Sequence, residues 1–197
     1  MRIVLLIEGN TEKAFLSTLR KFFGPRLARM PRLDPDPYNG RLQKGDKLKK
    51  EVERHLRTGA DAVIALTDVY TGSTDFESAA DAKQKMRTWV GHPDRPHAAQ
   101  YEFEAWLLPY WDAIRKLAVH TSGGPRGKPE LVSHNKAPSV WLTEIFETGK
   151  SGRSYSKVRD AARILRDNDL TIAANACPEL KAFLNTILRL WDGDCLE

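Results

Sequence analysis

Two stretches of the chain are apolar without interruption and short enough to be buried strands. Ile3 to Ile7 is a run of β-branched residues and leucine, and Asp61-Ala-Val-Ile-Ala-Leu-Thr-Asp68 repeats the pattern. A strand with one wet face alternates apolar and polar positions, so an unbroken run marks a strand covered on both faces, as in a parallel sheet. Each run ends on a carboxylate, Glu8 in the first and Asp68 in the second. After Glu8 come Gly9 for a tight turn, Asn10 or Thr11 as a helix cap, and Ala14, Phe15, Thr18 and Leu19 at helical spacing. The reading is strand, turn, helix, with Glu8 and Asp68 at the carboxyl ends of strands, the edge where open α/β sheets bind ligands. Parallel neighbours lie about 4.8 Å apart, so the two acids can share one metal ion. The plainer alternative has Asp68 capping a turn.

The remaining pattern supplies the layers around such a sheet. Leu27 to Pro37 alternates weakly and is rich in proline, which fits a short edge strand or a loop. Leu48, Val52 and Leu56 recur every four residues among charged ones, predicting an amphipathic helix over Lys47 to Leu56 that stops at Gly59. A polar-faced helix follows from Ser78 to Trp89, capped by Asp75 and ended by Gly91-His92-Pro93. Pro96 to Phe103 reads as a third strand delivering Glu102-Phe103-Glu104. Residues two apart on an extended backbone project to one side, so both glutamates can face one cation while Phe103 turns inward. Glu104 also opens a helix with Leu107, Leu108, Trp111 and Ile114 as its buried stripe, where an acid is favoured without any metal. Glu102 is therefore preferred as a ligand, with Glu104 behind it.

His120 to Pro138 is a polar, Gly/Pro-rich stretch long enough to serve as a lid. Helices are expected from Pro138 to Phe146, Ser156 to Arg166 and Pro178 to Trp191, the middle one burying Val158, Ala161, Ala162 and Leu165. The expected organisation is an α/β core over 1–120, a loop over 121–137, and a helical part over 138–197 packed on that core, one domain overall.

At 197 residues, 41% hydrophobic and 29% charged, the composition suits one substantial globular domain and argues against disorder. Cys177 and Cys195 are too few for a disulfide scaffold or a zinc site, and the histidines at 55, 92, 97, 120 and 134 form no pair at ligand spacing. Nothing resembles a signal peptide or a membrane span, so a cytoplasmic location is expected. The formal charge of +5 is modest, but the basic residues cluster: residues 126–166 hold nine Lys or Arg against four acids. Lys136, Arg153, Arg159 and Arg163 are the candidate contacts to a polyanion, with a merely solvated surface as the alternative.

Glu8-Gly9-Asn10-Thr11-Glu12, after an N-terminal apolar strand, resembles the first motif of the Toprim domains of overcoming-lysogenization-defect (OLD) nucleases. Three further stretches follow in order: Ala65-Leu-Thr-Asp68-Val-Tyr70, then Gln100-Tyr-Glu102-Phe-Glu104-Ala-Trp-Leu-Leu108, then Asn135-Lys-Ala-Pro-Ser139 with Tyr155-Ser-Lys157. Together they resemble a small stand-alone Toprim-like family known as a domain of unknown function, over nearly the whole chain.

That resemblance implies an α/β, Toprim-like (Rossmann-like), mostly parallel sheet flanked by helices, with a helical C-terminal part. It implies a Mg²⁺- or Mn²⁺-dependent nuclease in which Glu8, Asp68 and Lys157 are catalytic, with Lys136 the lesser choice of lysine. The metal ligands would come from Glu8, Glu12, Asp68, Glu102 and Glu104, all hard oxygen donors that select these ions over zinc. Its partners would be DNA or RNA and an ATPase, as in phage-defence modules. Tyr70 stands where the usual pattern has a second aspartate, which leaves open a regulatory or nucleic-acid-binding subunit without cleavage. A Rossmann-type nucleotide binder is disfavoured, because neither Gly-x-Gly-x-x-Gly nor a P-loop lysine occurs.

Overall fold

A computed structural model describes residues 1–69, 75–91, 95–100, 102–130 and 136–197. Tyr70, the His92-Pro93 helix stop, Tyr101, Asn135 and the latter part of the expected lid lie outside these residues. Strands β1 (Arg2–Ile7), β2 (Arg32–Pro37), β3 (Ala62–Val69) and β4 (Arg95–Gln100) form one sheet in the order β2-β1-β3-β4. Every pairing is parallel. In β1 the alternate residues Ile3, Leu5 and Ile7 join one core cluster while Val4 and Leu6 join the other. The uninterrupted apolar run thus has the cause inferred for it, since both faces of the strand are covered. The edge strand β2 carries Pro35 and Pro37, which an edge can tolerate because it has amides to spare.

Helices α1 (Asn10–Phe23), α2 (Asp46–Arg57) and α3 (Ala79–Val90) make the crossovers between strands. Leu48 and Val52 of α2 and Met86 of α3 pack with Val4 and Leu6 on one face. Ser78 caps α3 by accepting from the Asp81 amide at 3.1 Å. Asp75 is therefore not that cap; it pairs with Arg41 at 3.0 Å and Lys44 at 2.5 Å.

The chain after β4 departs from the expected strand. Gln100 is the last residue of β4, Glu102 stays extended at φ −163° and ψ 161°, and a 3₁₀ helix runs from Phe103 to Tyr110. Glu102 and Glu104 consequently do not share the face of one strand; the second belongs to a helix that buries nearly every residue. Helices α4 (Trp111–Ala118), α5 (Pro138–Thr148), α6 (Lys157–Arg166), α7 (Leu170–Ala176) and α8 (Pro178–Leu190) complete the chain. On α6 the inward residues are Ala161, Ile164 and Leu165, whereas Val158 is 42% exposed. Helix α7, seven residues long, was too short for periodicity to announce it, although Asp169 caps it by accepting from the Thr171 amide at 2.9 Å.

The larger cluster runs from Ile3 and Phe15 through the 3₁₀ helix to α5, α6 and α8. At its centre Phe15, Phe103, Trp106 and Phe183 meet at ring separations of 5.3 to 6.2 Å, joining α1, the 3₁₀ helix and α8. Over its described part the Gly/Pro-rich stretch is tied down rather than lid-like. A Cβ on Gly124 would come within 2.8 Å of the Trp111 ring. At its far end Glu130 is 2% exposed.

Glu130 gives the fold a measurable pH dependence. Its two oxygens accept from Trp106 Nε1 at 2.5 Å and the Glu179 amide at 2.8 Å, yet burial outweighs both bonds and raises its pKa to about 7. A folded-state value above the unfolded one favours the protonated form, so this contribution is present below the unfolded pKa and is lost as pH rises through about 7. The loss amounts to up to ~3 kcal/mol at ~1.4 kcal/mol per pKa unit. Urea unfolding at several pH values should show wild type losing stability between about pH 5 and pH 8, and Glu130→Gln should flatten that slope. An unchanged slope in the variant would assign the pH dependence to another group.

Candidate functional site

The residue after β1 is Glu8, and the parallel register that pairs Leu6 with Ala65 brings Glu8 beside Thr67 of β3. Thr67 Oγ1 donates to Glu8 Oε1 in a short hydrogen bond, and the Leu42 amide donates to the same oxygen at 3.3 Å. The turn after β2 wraps the strand end, with Tyr38 N donating to the Ile7 carbonyl at 3.0 Å and Gly40 N to the Glu8 carbonyl at 2.9 Å. This turn carries Arg41 to the rim of the site.

Gly9 is the N-cap of α1 with φ −156°, an extended conformation open to any residue, so no special backbone freedom explains this glycine. Neither Asn10 nor Thr11 is the cap, because both already lie inside the helix. Glu12 reaches back instead, its Oε2 accepting from the Gly9 amide at 3.0 Å. Burial raises the Glu12 pKa against the pull of the backbone amides, and Glu8 raises it further.

Asp68 lies within β3 opposite Ala99, and its Oδ1 accepts from the Phe103 amide at 3.0 Å. Burial, followed by the charges of Glu12, Glu8, Glu104 and Glu102, pushes its pKa well above the carboxylate range. Glu104, at the start of the 3₁₀ helix, is 1% exposed. Its Oε1 lies 3.3 Å from Lys157 Nζ, an ion pair without hydrogen-bond geometry, so this buried oxygen has no donor. Burial raises the Glu104 pKa and Lys157 opposes it. Burial likewise works to lower the Lys157 pKa, but Glu104 and Glu102 outweigh it and hold the ammonium protonated.

Glu8, Glu12, Asp68 and Glu104 face Lys157 and Arg41 in a cleft of about 250 Å³, with Gly9, Thr11 and Gly40 completing its wall. Glu102 does not line it; its Oε2 accepts from the Ser139 amide at 3.0 Å, which fixes the start of α5. Of the two glutamates it is Glu104, carried by a helix rather than a strand, that lines the cleft, and not the preferred Glu102.

These oxygen donors match a hard divalent ion, and the donorless Glu104 oxygen is a position such an ion would satisfy. The cluster stands open, however. Among the described residues the trio with ligand atoms within 4.8 Å of one another is Asp36, Glu51 and His55, away from the cleft. That trio already has its cation: Arg54 Nη2 lies 3.0 Å from Asp36, 2.7 Å from Glu51 and 2.9 Å from His55 Nε2.

The expected polyanion contacts separate into two groups. Asp160 is fully buried, and Arg153 at 2.6 Å and Arg159 at 3.3 Å neutralise it while it accepts from the Ser156 amide at 2.8 Å. These two arginines are therefore spent on holding α6, a demand hidden in a simple count of charges. Lys136 pairs with Glu144 and lies 4.5 Å from the Trp141 ring. Arg163 is exposed on the outer face of α6.

Thr67, Gly40 and Arg41 belong to the site without any motif singling them out, and Thr11 lines it rather than capping α1. Thr67 had a signal, since it precedes Asp68 and the parallel register turns it toward Glu8. Arg41 had none, because 38–45 is irregular.

No curated protein matches the chain. Among solved structures, the C-terminal region of the Burkholderia pseudomallei OLD protein is similar at a TM-score of 0.59 with 11% identity, covering 96% of this chain and 98% of that one. The C-terminal region of the Xanthomonas campestris pv. campestris OLD protein gives a TM-score of 0.47 with 13% identity over 96% and 97% of the two chains. The first likeness establishes a shared fold, the α/β Toprim-like architecture that the motifs imply. A family model described as "Domain of unknown function (DUF4276)" matches residues 7–188, a span that holds every residue of the cleft, and the chain belongs to that family.

Proposed function

We propose that this protein is a divalent-metal-dependent nuclease that hydrolyses phosphodiester bonds in DNA or RNA. The observation that carries the reading is the meeting of Glu8, Glu12, Asp68 and Glu104 with Lys157 in one cleft at the carboxyl edge of a parallel sheet. Carboxylates alone repel a phosphate. Glu8, Glu12, Asp68 and Glu104 would hold Mg²⁺ or Mn²⁺, which when bound supplies Lewis acidity and an activated water. Thr67 and the Leu42 amide fix Glu8, and the Phe103 amide fixes Asp68, so both acids are oriented before any substrate arrives. Lys157 carries a proton and a positive charge beside Glu104, where it can stabilise charge developing on the phosphate. An ATPase partner and a role in phage defence enter this reading through the OLD resemblance alone.

One observation supports a second reading, a nucleic-acid-binding or regulatory subunit without cleavage. No three cleft carboxylates approach within 4.8 Å, so a closed ligand set is not preformed. A nuclease assay on plasmid DNA and structured RNA with Mn²⁺, Mg²⁺ or chelator separates the two readings. Wild type that binds but cuts nothing under any of these conditions moves the second reading to the front.

Three variants probe the assigned roles. Asp68→Asn keeps an acceptor for the Phe103 amide but removes a charge held among four other acids. It should abolish metal-dependent cleavage, keep nucleic-acid binding in chelator, and raise metal-free stability by about 1 kcal/mol. Undiminished cleavage by this variant would remove Asp68 from the reaction. Lys157→Ala should bind Mn²⁺ as wild type does while kcat falls about 100-fold; an equal loss of metal affinity would make the lysine a structural partner of Glu104. Thr67→Val, which deletes the hydroxyl oriented on Glu8, should weaken Mn²⁺ binding by about 10-fold or more in calorimetry. Unaltered affinity there would mean that the Leu42 amide suffices to orient the acid.

A further inference from the structure

A second cavity lies outside the acidic cleft. It is a groove of about 590 Å³ at the C-terminal end of α4, lined by Asp112, Arg115, Lys116, Val119, His120, Thr121 and Lys150. Asp112 pairs with Arg115 at 2.5 Å. Lys116 and Lys150 are exposed and form no side-chain bond among the described residues, so the groove keeps an excess of positive charge.

Its wall is constructed rather than incidental. The C-terminal ends of α4 and α5 approach so closely that a Cβ on Gly149 would lie 2.1 Å from the Ala118 carbonyl oxygen. The Lys150 and Ser151 amides donate to the Val119 and Ala118 carbonyls at 3.1 and 3.2 Å, which satisfies the end of α4 and places Lys150 across the groove. Val119 takes the left-handed conformation (φ 54°, ψ 55°) of a helix C-cap, ending α4, and is 54% exposed. The loop beyond it is fastened from three sides: His120 N donates to the Arg115 carbonyl at 3.0 Å, Ser122 N to His120 Nδ1 at 2.9 Å, and Trp111 Nε1 to the Ser122 carbonyl at 3.0 Å. With Nδ1 accepting, the neutral His120 ring carries its proton on Nε2.

We propose that this groove seats backbone phosphates of the nucleic-acid strand outside the cleft, an assignment that rests on the nucleic-acid reading above. Attraction between cations and a helix C-terminus accounts for Arg115 and Lys116, which lie in the last turn of α4. It does not account for a fastened loop that presents Thr121 beside them. The lining offers cationic and hydroxyl donors but no Phe, Tyr or Trp face for a base. Donors without a stacking platform suit the sugar-phosphate backbone rather than a free nucleotide. Between Glu104 and the groove lie the 3₁₀ helix and α4, eight residues each. At rises of about 2.0 and 1.5 Å per residue they span at most roughly 28 Å, the length of about eight stacked nucleotides.

The test is fluorescence anisotropy in chelator with 5′-labelled single strands of about 5 and about 20 nucleotides, on wild type and on Lys116→Ala/Lys150→Ala. Both side chains are exposed, so the melting temperature of the double variant should match wild type. Wild type should bind the long strand at least about 10-fold more tightly than the short one. The variant should lose that advantage, with the slope of log K against log salt reduced by about 1.4, while short-strand binding is unchanged. A variant that keeps the long-strand advantage overturns the assignment. ADP or pyrophosphate abolishing the advantage at micromolar concentration would reassign the groove to a small phosphate ligand. If wild type binds neither strand, the nucleic-acid reading fails and this inference fails with it.

Discussion

The structure depends on keeping several carboxylates together in a poorly hydrated corner. Glu8, Asp68, Glu102 and Glu104 are all buried, with Glu12 beside them. Burying one uncompensated carboxylate costs several kcal/mol, and like charges nearby add to that cost. The surroundings therefore supply a backbone amide to nearly every acid: Leu42 to Glu8, Gly9 to Glu12, Phe103 to Asp68 and Ser139 to Glu102. Glu104 faces Lys157 instead. An apolar edge of similar volume would give a more stable domain, so the cluster is retained at the expense of stability, as functional sites commonly are.

Much of this was legible in the sequence because the parallel sheet leaves a coarse mark. Two uninterrupted apolar runs ending on acids identify two strands covered on both faces and the edge they share, which locates Glu8 and Asp68 without any further information. Legibility stops where the backbone leaves regular geometry. Nothing in Tyr101-Glu-Phe-Glu-Ala says that β4 ends at Gln100, and a strand there predicts the wrong relation between Glu102 and Glu104. Leu107 and Leu108 did signal a buried helix, but nothing in their spacing says that Phe103–Tyr110 runs as a 3₁₀ helix.

Charge was the least legible feature. The excess of basic residues over 126–166 is real, yet Arg153 and Arg159 are bound to Asp160, adjacent to one of them in sequence and completely inaccessible. Polarity in a sequence does not say which acid will be buried, and a buried acid recruits its cations before any ligand does. Among the described residues, unpaired positive charge also sits on Lys116 and Lys150, one outside that run and one within it, brought together by the close approach that Gly149 permits.

The helical C-terminal part is not an appendage to the sheet, because it completes the electrostatics of the cleft. Helix α5 begins by donating the Ser139 amide to Glu102, and α6 begins with Lys157. Helix α1 begins at the Gly9 amide bonded to Glu12. Two helix N-termini, those of α1 and α5, thus give amides to this group of acids, each worth roughly half a positive charge, and α6 adds the Lys157 side chain. Arg41 adds little, since Asp75 pairs with it at the rim. With all five acids ionised, Lys157 and the two helix ends leave an excess of roughly three negative charges. Part of it is absorbed by protonation, which is why burial and mutual repulsion raise Asp68 so far. The remainder is of the size that one divalent cation balances, so the arrangement of helices around the sheet edge sets both the repulsion and the valence of the ion that would relieve it.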